Sequence, residues 1–253
     1  MSTPPLRYAR HHVLDGFGEE GQTRLSAARV LVVGLGGIGS AAALYLASSG
    51  VGALLLNDFD TIDPTNLPRQ PLYEEEDLGT RKAETAARRL AARYPRLAVE
   101  ALPRRLDRAD LDAAVRAVDI VLDASDNFPT RFALNASCVG AGRPLVVAAA
   151  LGYEVQLTTV DLRRGAGCYR CLFAEESPED AFGDGCRRGG VLAPLVAAAG
   201  TLAAAEAMRI AAGQEAAWRG RLLRYNAQTG RLGATRYRAD PVCPVCAARA
   251  AEG

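Results

Sequence analysis

The run Val30-Leu31-Val32-Val33-Gly34-Leu35-Gly36-Gly37-Ile38-Gly39 constrains the fold more than any other part of the chain. It is an apolar, β-branched strand that enters a glycine-rich turn and leaves as an alanine-rich helix over Ile38 to Ser49, stopped at Gly50. A second apolar strand, Gly52 to Asn57, ends on Asp58. Strand, glycine turn, helix and strand with a terminal acid form the half-site of a nucleotide pocket. Glycines let backbone approach phosphate, the helix N-terminus favours anions, and a carboxylate accepts from ribose hydroxyls. The competing reading is tight strand–helix packing with no ligand.

The alternation continues. A helix is expected over Gly79 to Tyr94, a strand over Leu97 to Leu102 and a helix over Leu111 to Ala117. Then come a strand over Asp119 to Ala124, a helix over Phe128 to Gly140 and a strand over Pro144 to Ala150. This grammar predicts an α/β fold: a Rossmann-like, mostly parallel sheet with helices on both faces. After Ala150 the pattern changes to antiparallel strands, Tyr153 to Asp161 and a hairpin within Leu222 to Tyr237 around Thr229-Gly230. Between them lie a Gly-, Asp- and Glu-rich loop, Phe173 to Gly190, and a long helix from Val191. At 253 residues the chain is expected to be one domain. Residues 1–28 are a short helical arm, 29–150 a nucleotide-binding half, and 151–253 a partner-binding and metal half.

The residues after Asp58 separate two nucleotide chemistries. A nicotinamide-dependent oxidoreductase would use Asp58 for the adenosine ribose and add a second mononucleotide half. No such half is visible, and no His or Tyr stands where a hydride partner is expected. An ATP-using enzyme needs cations for a triphosphate and a carboxylate for Mg²⁺. Thr65-Asn66-Leu67-Pro68-Arg69-Gln70 and Lys82 come soon after Asp58, and Asp126-Asn127 come after the fourth strand, where open α/β sheets place ligand groups. Taken singly, Arg69 and Lys82 read as surface charges and Asp126 as a helix cap. Taken in pocket order, they favour ATP. A non-catalytic scaffold of the same fold is the third reading.

Six cysteines include two pairs, Cys168-Tyr-Arg-Cys171 and Cys243-Pro-Val-Cys246. Two CxxC pairs predict a tetrahedral zinc site, with all four corners filled by thiolates and therefore structural. Cys138, within a helix, reads as a small buried apolar residue. A formal net charge of +1 gives no bulk attraction to nucleic acid or membrane. No signal-peptide core opens the chain. The apolar stretch Gly189 to Ala212 contains Pro194, Thr201, Glu206 and Arg209 and reads as a buried helix. These features predict a cytoplasmic protein.

The motifs Asp58-Phe59-Asp60, Asn66-Leu67-x-Arg69-Gln70, Gly79-x-x-Lys82 and Asp126-Asn127, followed by both CxxC pairs, resemble the MoeB/ThiF/HesA family, bacterial relatives of ubiquitin-activating enzymes. The likeness begins at Arg7-Tyr8-Ala9-Arg10 and spans nearly the whole chain. It implies an adenylyltransferase: the C-terminal Gly-Gly carboxylate of a small ubiquitin-like sulfur carrier attacks the α-phosphate of ATP and pyrophosphate leaves. It also implies that Gly37 approaches the nucleotide and Asp58 binds ribose. Thr65, Asn66, Arg69 and Lys82 then contact phosphates, and Asp126 with Asn127 serves the Mg²⁺-nucleotide. Arg10 would reach the phosphates of the partner subunit in a homodimer. On its own sequence context, Arg10 reads as a surface arginine.

Cys186 precedes Arg187-Arg188-Gly189-Gly190-Val191-Leu192-Ala193-Pro194. Some members of the family link this cysteine to the carrier, and others only adenylate. Neighbouring arginines would favour its thiolate; a dispensable loop cysteine is the equal alternative. The family often has Thr where this chain has Ser125, and a Gly-Gln pair where it has Gly152-Tyr153-Glu154-Val155-Gln156. The carrier served, for molybdopterin, thiamine or a related pathway, is left open. No rhodanese-type segment follows the second CxxC, so a separate sulfur donor is expected.

Overall fold

The structure, a computed structural model, describes residues 6–162, 166–173 and 190–247. Two short helices, α1 (Ala9–His12) and α2 (Gly18–Ala27), precede the sheet. The alternating part runs β1 (Arg29–Val33), α3 (Gly37–Ser48), β2 (Ala53–Asn57), α4 (Lys82–Arg93), β3 (Ala98–Leu102), α5 (Arg108–Arg116), β4 (Ile120–Asp123), α6 (Phe128–Ala141) and β5 (Leu145–Leu151). It continues with β6 (Glu154–Val160), α7 (Tyr169–Leu172), α8 (Ala193–Ala211), β7 (Arg221–Asn226) and β8 (Arg231–Arg236).

The strands form one eight-stranded sheet in the order β3-β2-β1-β4-β5-β6-β7-β8. Pairings from β3 through β5 are parallel, and those from β5 through β8 are antiparallel. The expected fold class is therefore the observed one. The antiparallel strands extend the parallel sheet rather than building a sheet of their own.

Strand side chains alternate between two cores, as the two-residue period requires. Val30, Val32, Leu54 and Leu56 face α3, α4 and α8. Leu31, Val33, Leu55 and Val121 face α5, α6 and the cysteine pairs. Each fully buried Leu or Val contributes about 1.5–3 kcal/mol, so the doubly covered sheet anchors everything built on its strand ends.

Helix α8 lies across α3, and small residues decide how closely. A Cβ on Gly200 would meet the Ile38 carbonyl oxygen at 2.3 Å and the Ala41 Cβ at 2.9 Å. By length and composition α8 could cross a membrane; here Leu195, Val196, Ala199, Ala203 and Ala207 bury its inner stripe in the first core. Buried Glu206 accepts from the Thr159 hydroxyl and the Trp218 N–H, both at 2.9 Å, and pins α8 to the sheet.

Two helices depart from the sequence expectation. α4 begins at Lys82, three residues after Gly79, because Gly79 takes φ +79° and Arg81 bridges to Thr61 as extended chain. α5 begins at Arg108 because Asp107 accepts from the Asp110 N–H at 2.8 Å and caps the helix early. β4 ends at Asp123, so Asp126 lies in the β4–α6 connection, beyond the strand itself.

Candidate functional site

Strand order reverses between β1 and β4, and there the carboxyl ends of the strands diverge. A cavity of about 480 Å³ opens at this point. The ends of β1, β2, β4 and β5 line it, together with the start of α4 and Val191 and Val196 from the α8 region.

The glycine turn does two separate jobs. Gly34 has φ +84°, and a Cβ there would meet the Ala124 carbonyl oxygen at 2.7 Å. A Cβ on Gly37 would meet Val196 Cγ2 at 2.6 Å and the Arg69 carbonyl oxygen at 2.7 Å. Both glycines are therefore required by protein packing. A Cβ on Gly36 would meet only the Gln70 side chain, at 3.7 Å. Gly37 lines the cavity as expected, but Gly36 is the glycine that leaves open backbone beside it. Tight packing and open backbone beside the cavity are thus divided between adjacent residues of the motif.

Asp58 stands at the end of β2, almost fully buried. One carboxylate oxygen accepts from the Leu35 N–H at 2.7 Å and the other from the Asp60 N–H at 2.8 Å. A carboxylate offers about four lone-pair sites, which leaves capacity for two hydroxyls. Burial raises its pKa above the ordinary value; the two N–H donors and Lys82 oppose that rise. The Lys82 ammonium lies 3.4 Å from Asp60. The Arg69 guanidinium donates to the Thr65 carbonyl at 2.6 Å and faces the cavity. Asp58, Asn66, Arg69, Lys82, Asp126 and Asn127 thus all line one space.

Other candidates go elsewhere. The exposed Thr65 does not line the cavity; its hydroxyl donates to Asp63 at 2.6 Å, inside a capping turn. The Asn66 side chain closes the same turn by accepting from the Asp63 N–H at 3.3 Å. Asn127 caps α6, accepting from the Thr130 N–H at 3.0 Å, so the capping role, the alternative reading of Asp126, belongs to its neighbour. Arg10 is exposed on α1 and does not line the cavity. Cys186 lies outside the described residues. His11 is packed, bonded to Gln22 at 2.8 Å and edge-on to Phe17.

Several lining groups escaped the sequence reading. Arg105 stacks on the Phe59 ring at 3.8 Å. Its position just past β3, at the carboxyl edge of the sheet, was the available signal. Gln70, named in the sequence motif without a role, is buried in the lining, and its Oε1 has no hydrogen-bond partner among the described residues. Arg131 lies one turn into α6 and donates to the Ser125 carbonyl at 2.8 Å. Asp123 does not line the cavity; it ends β4 with no exposure, and burial raises its pKa while the Arg131 charge opposes that rise. Neither Asp123 nor Arg131 belongs to a local motif that propensity could reveal.

The four paired cysteines converge. Their sulfurs lie within 4.8 Å of one another, with Cys168–Cys171 at 4.0 Å, Cys168–Cys243 at 3.7 Å and Cys171–Cys246 at 3.4 Å. A tetrahedral Zn²⁺ with Zn–S bonds of about 2.3 Å has sulfur–sulfur edges of about 3.8 Å. The donor set and spacing fit zinc. The Asp240 N–H and the Asn135 amide donate to Cys171 and Cys168 at 3.3 and 3.6 Å, the support that metal thiolates commonly receive. Cys138 is fully buried, as expected, and burial pushes its thiol above the ordinary range.

These features define the class: a doubly wound α/β protein with a polar crevice at its switch point and a closed four-thiolate knuckle beneath the sheet. The ThiF family model matches residues 8–245, and the chain belongs to that family. It is 43% identical over 240 residues to the SAMP-activating enzyme E1 of Haloferax volcanii, covering 95% of this chain and 88% of that protein. It is 41% identical to the molybdopterin-synthase adenylyltransferase of Escherichia coli, with 95% and 96% covered. The ThiS sulfur-carrier adenylyltransferase of the same organism is 38% identical, with 95% and 94% covered. Among solved structures, E. coli MccB with ATP aligns at a TM-score of 0.85 and 28% identity over 97% of this chain and 75% of that one.

Proposed function

We infer that this protein is an ATP-dependent adenylyltransferase that activates the C-terminal Gly-Gly carboxylate of a small ubiquitin-like sulfur carrier. The names of its relatives support the activity. The observation that carries the site assignment is that Asp58, Arg69, Lys82 and Asp126 line a single switch-point cavity.

In this reading the glycine turn and the start of α3 receive the nucleotide, and Asp58 accepts from the ribose hydroxyls. Arg69 and Lys82 bind the phosphates, with Asn66 and Asn127 shaping the loops that carry them. Asp126 would hold Mg²⁺, which supplies charge neutralisation on the triphosphate. The incoming carboxylate is already anionic and needs no general base. Its oxygen bonds to the α-phosphorus as the bond to the pyrophosphate oxygen breaks, giving acyl-adenylate and pyrophosphate. Alignment and positive charge at the leaving phosphates lower the barrier.

Arg10, exposed on one subunit, is assigned to the phosphates of a homodimer partner. Thr65 contributes through the Asp63 turn rather than by touching phosphate. Cys186 plays no part in adenylation; a covalent link to the activated carrier and a dispensable loop cysteine are the two roles its sequence context allows. The four-cysteine site binds structural zinc. The protein works in the cytoplasm, without nucleic acid or membrane. It acts as a single adenylation domain in which residues 1–28 form the arm, 29–150 the nucleotide half and 151–253 the carrier half.

The test is ATP–pyrophosphate exchange with a purified carrier ending in Gly-Gly, in wild type and Asp126→Asn. Exchange that depends on the carrier and falls in the variant is the expected result. Undiminished exchange in Asp126→Asn would remove that residue from the metal assignment. Absence of exchange with every Gly-Gly carrier tried would remove the function.

A further inference from the structure

Two side chains on one face of α6 connect the nucleotide cavity to the cysteine knuckle. Arg131 and Asn135 are four residues apart and therefore lie one above the other. The Arg131 guanidinium is buried, 4% exposed, and spans both sides. It donates to the Ser125 carbonyl at 2.8 Å and to the Tyr169 hydroxyl at 3.4 Å. Asn135 is fully buried; its oxygen accepts from the Tyr169 N–H at 2.9 Å and its amide donates to Cys168 Sγ at 3.6 Å. Tyr169 follows Cys168 directly, so the metal ligand and the residue that holds Arg131 move together.

We propose that Arg131 and Tyr169 are positioning residues through which the four-cysteine site sets the Asp126 loop for the Mg²⁺-nucleotide. This rests on the assignment of the switch-point cavity to nucleotide. Three observations carry it. The Ser125 carbonyl, immediately before Asp126, is held by a side chain whose other hand rests on the knuckle. Tyr169 is held at two points on one path, its backbone N–H donating to Asn135 and its hydroxyl accepting from Arg131. Phe128, Phe132 and Phe173 pack around Tyr169 and Arg131, with ring centroids 4.9–5.8 Å apart and Arg131 5.8 Å from Phe128, so the link has little slack. A packed, hydrogen-bonded chain of this kind transmits a displacement instead of absorbing it. Zinc in the knuckle would therefore hold the catalytic loop as well as the C-terminal segment.

The experiment measures binding of a fluorescent ATP analogue to the full chain across a Mg²⁺ titration and again in chelator-free buffer without Mg²⁺. It compares wild type, Tyr169→Phe and Arg131→Lys, each first shown to carry one zinc. Tyr169→Phe removes one hydroxyl and keeps the ring packing. The expected result is a Mg²⁺ midpoint raised about threefold to tenfold in both variants, the usual scale for one hydrogen bond, with metal-free nucleotide affinity unchanged in Tyr169→Phe, whose side chain does not line the cavity. A role confined to folding would lower both affinities together or neither. Variants that bind zinc, match wild type in melting temperature and keep its Mg²⁺ midpoint would overturn the proposal. If wild type itself shows no Mg²⁺-dependent nucleotide binding, the nucleotide assignment fails first, so the two failures are distinguishable.

Discussion

The Lys82 ammonium stands 3.4 Å from the Asp60 carboxylate, with the lysine side chain 8% exposed and the aspartate 56% exposed. A nearly buried cation is thus balanced by an acid that water still reaches. Phosphate oxygens entering the cavity would find Lys82 already desolvated and would compete with Asp60, a weakly held and partly solvated partner, and with the nearby charge of Asp58. Lys82→Ala should lower the pyrophosphate-exchange rate by about a hundredfold to a thousandfold, as loss of one preorganised charge contact does. The fold should persist, because Asp60 can rehydrate. An exchange rate within about threefold of wild type would take Lys82 out of the phosphate assignments.

The adjacent glycines Gly36 and Gly37 should respond oppositely to alanine. Gly37→Ala forces a Cβ against Val196 and the Arg69 carbonyl, and overpacking of this kind costs about 1–3 kcal/mol. Thermal unfolding should show it as a lowered midpoint. Gly36→Ala meets no backbone, so its midpoint should stay near wild type while nucleotide affinity falls, because the methyl group stands where backbone is otherwise open to the cavity. Equal losses of stability in both variants would contradict this division.

Removing zinc should destabilise the protein without deleting any group assigned to the nucleotide. The knuckle joins α7 to the segment around Cys243 and Cys246 and lies in the core that includes Leu134, Val139 and Leu145. Cys246→Ser should lose metal, measured by atomic absorption, and melt well below wild type, since binding energy at such sites is folding energy. A metal-free protein with an unchanged melting temperature would exclude a structural role.

Asp77 supplies a pH dependence with a definite sign. It is 1% exposed, accepts from the Glu74 N–H at 3.0 Å, and pairs with Arg88 and Arg89, each at 2.7 Å. Burial alone would raise its pKa; the Glu74 N–H and the two guanidinium groups reverse this and hold it below 3.8. A folded value below the unfolded one means that the stabilisation is fully present above the unfolded pKa. It is lost as pH falls through the folded value. Asp77→Asn should therefore cost about 1–3 kcal/mol near neutrality, and the gap from wild type should shrink on acidification below about pH 3.8. Urea unfolding at a series of pH values measures this. A gap that widens in acid would reverse the sign.

Much of the fold was legible because the relevant signals are short-range. Strand hydrophobicity, the glycine turn, the helix stop at Gly50 and the change to antiparallel strands after Ala150 each depend on neighbouring residues. Helix starts were less legible where a cap or a bridge decides them. Asp107 begins α5 early through its bond to the Asp110 N–H, and the Thr61–Arg81 bridge delays α4. In the site, Asp58, Arg69, Lys82 and Asp126 could be read in order, but the roles of Thr65 and Asn127 as turn and cap could not, because competing partners lie a few residues away.

By itself, the sequence determined the strand–turn–helix alternation, the acids at the strand ends and the two thiolate pairs, since each is a local pattern tied to backbone geometry. Only the tertiary structure decided which glycine packs and which stays open, that Arg105 and Arg131 join the cavity, and that the cysteine pairs meet across a gap of 71 residues. The reason is physical: those contacts depend on the switch point and on the crossing of α8 over α3, and both exist only once separate segments have buried their apolar faces together.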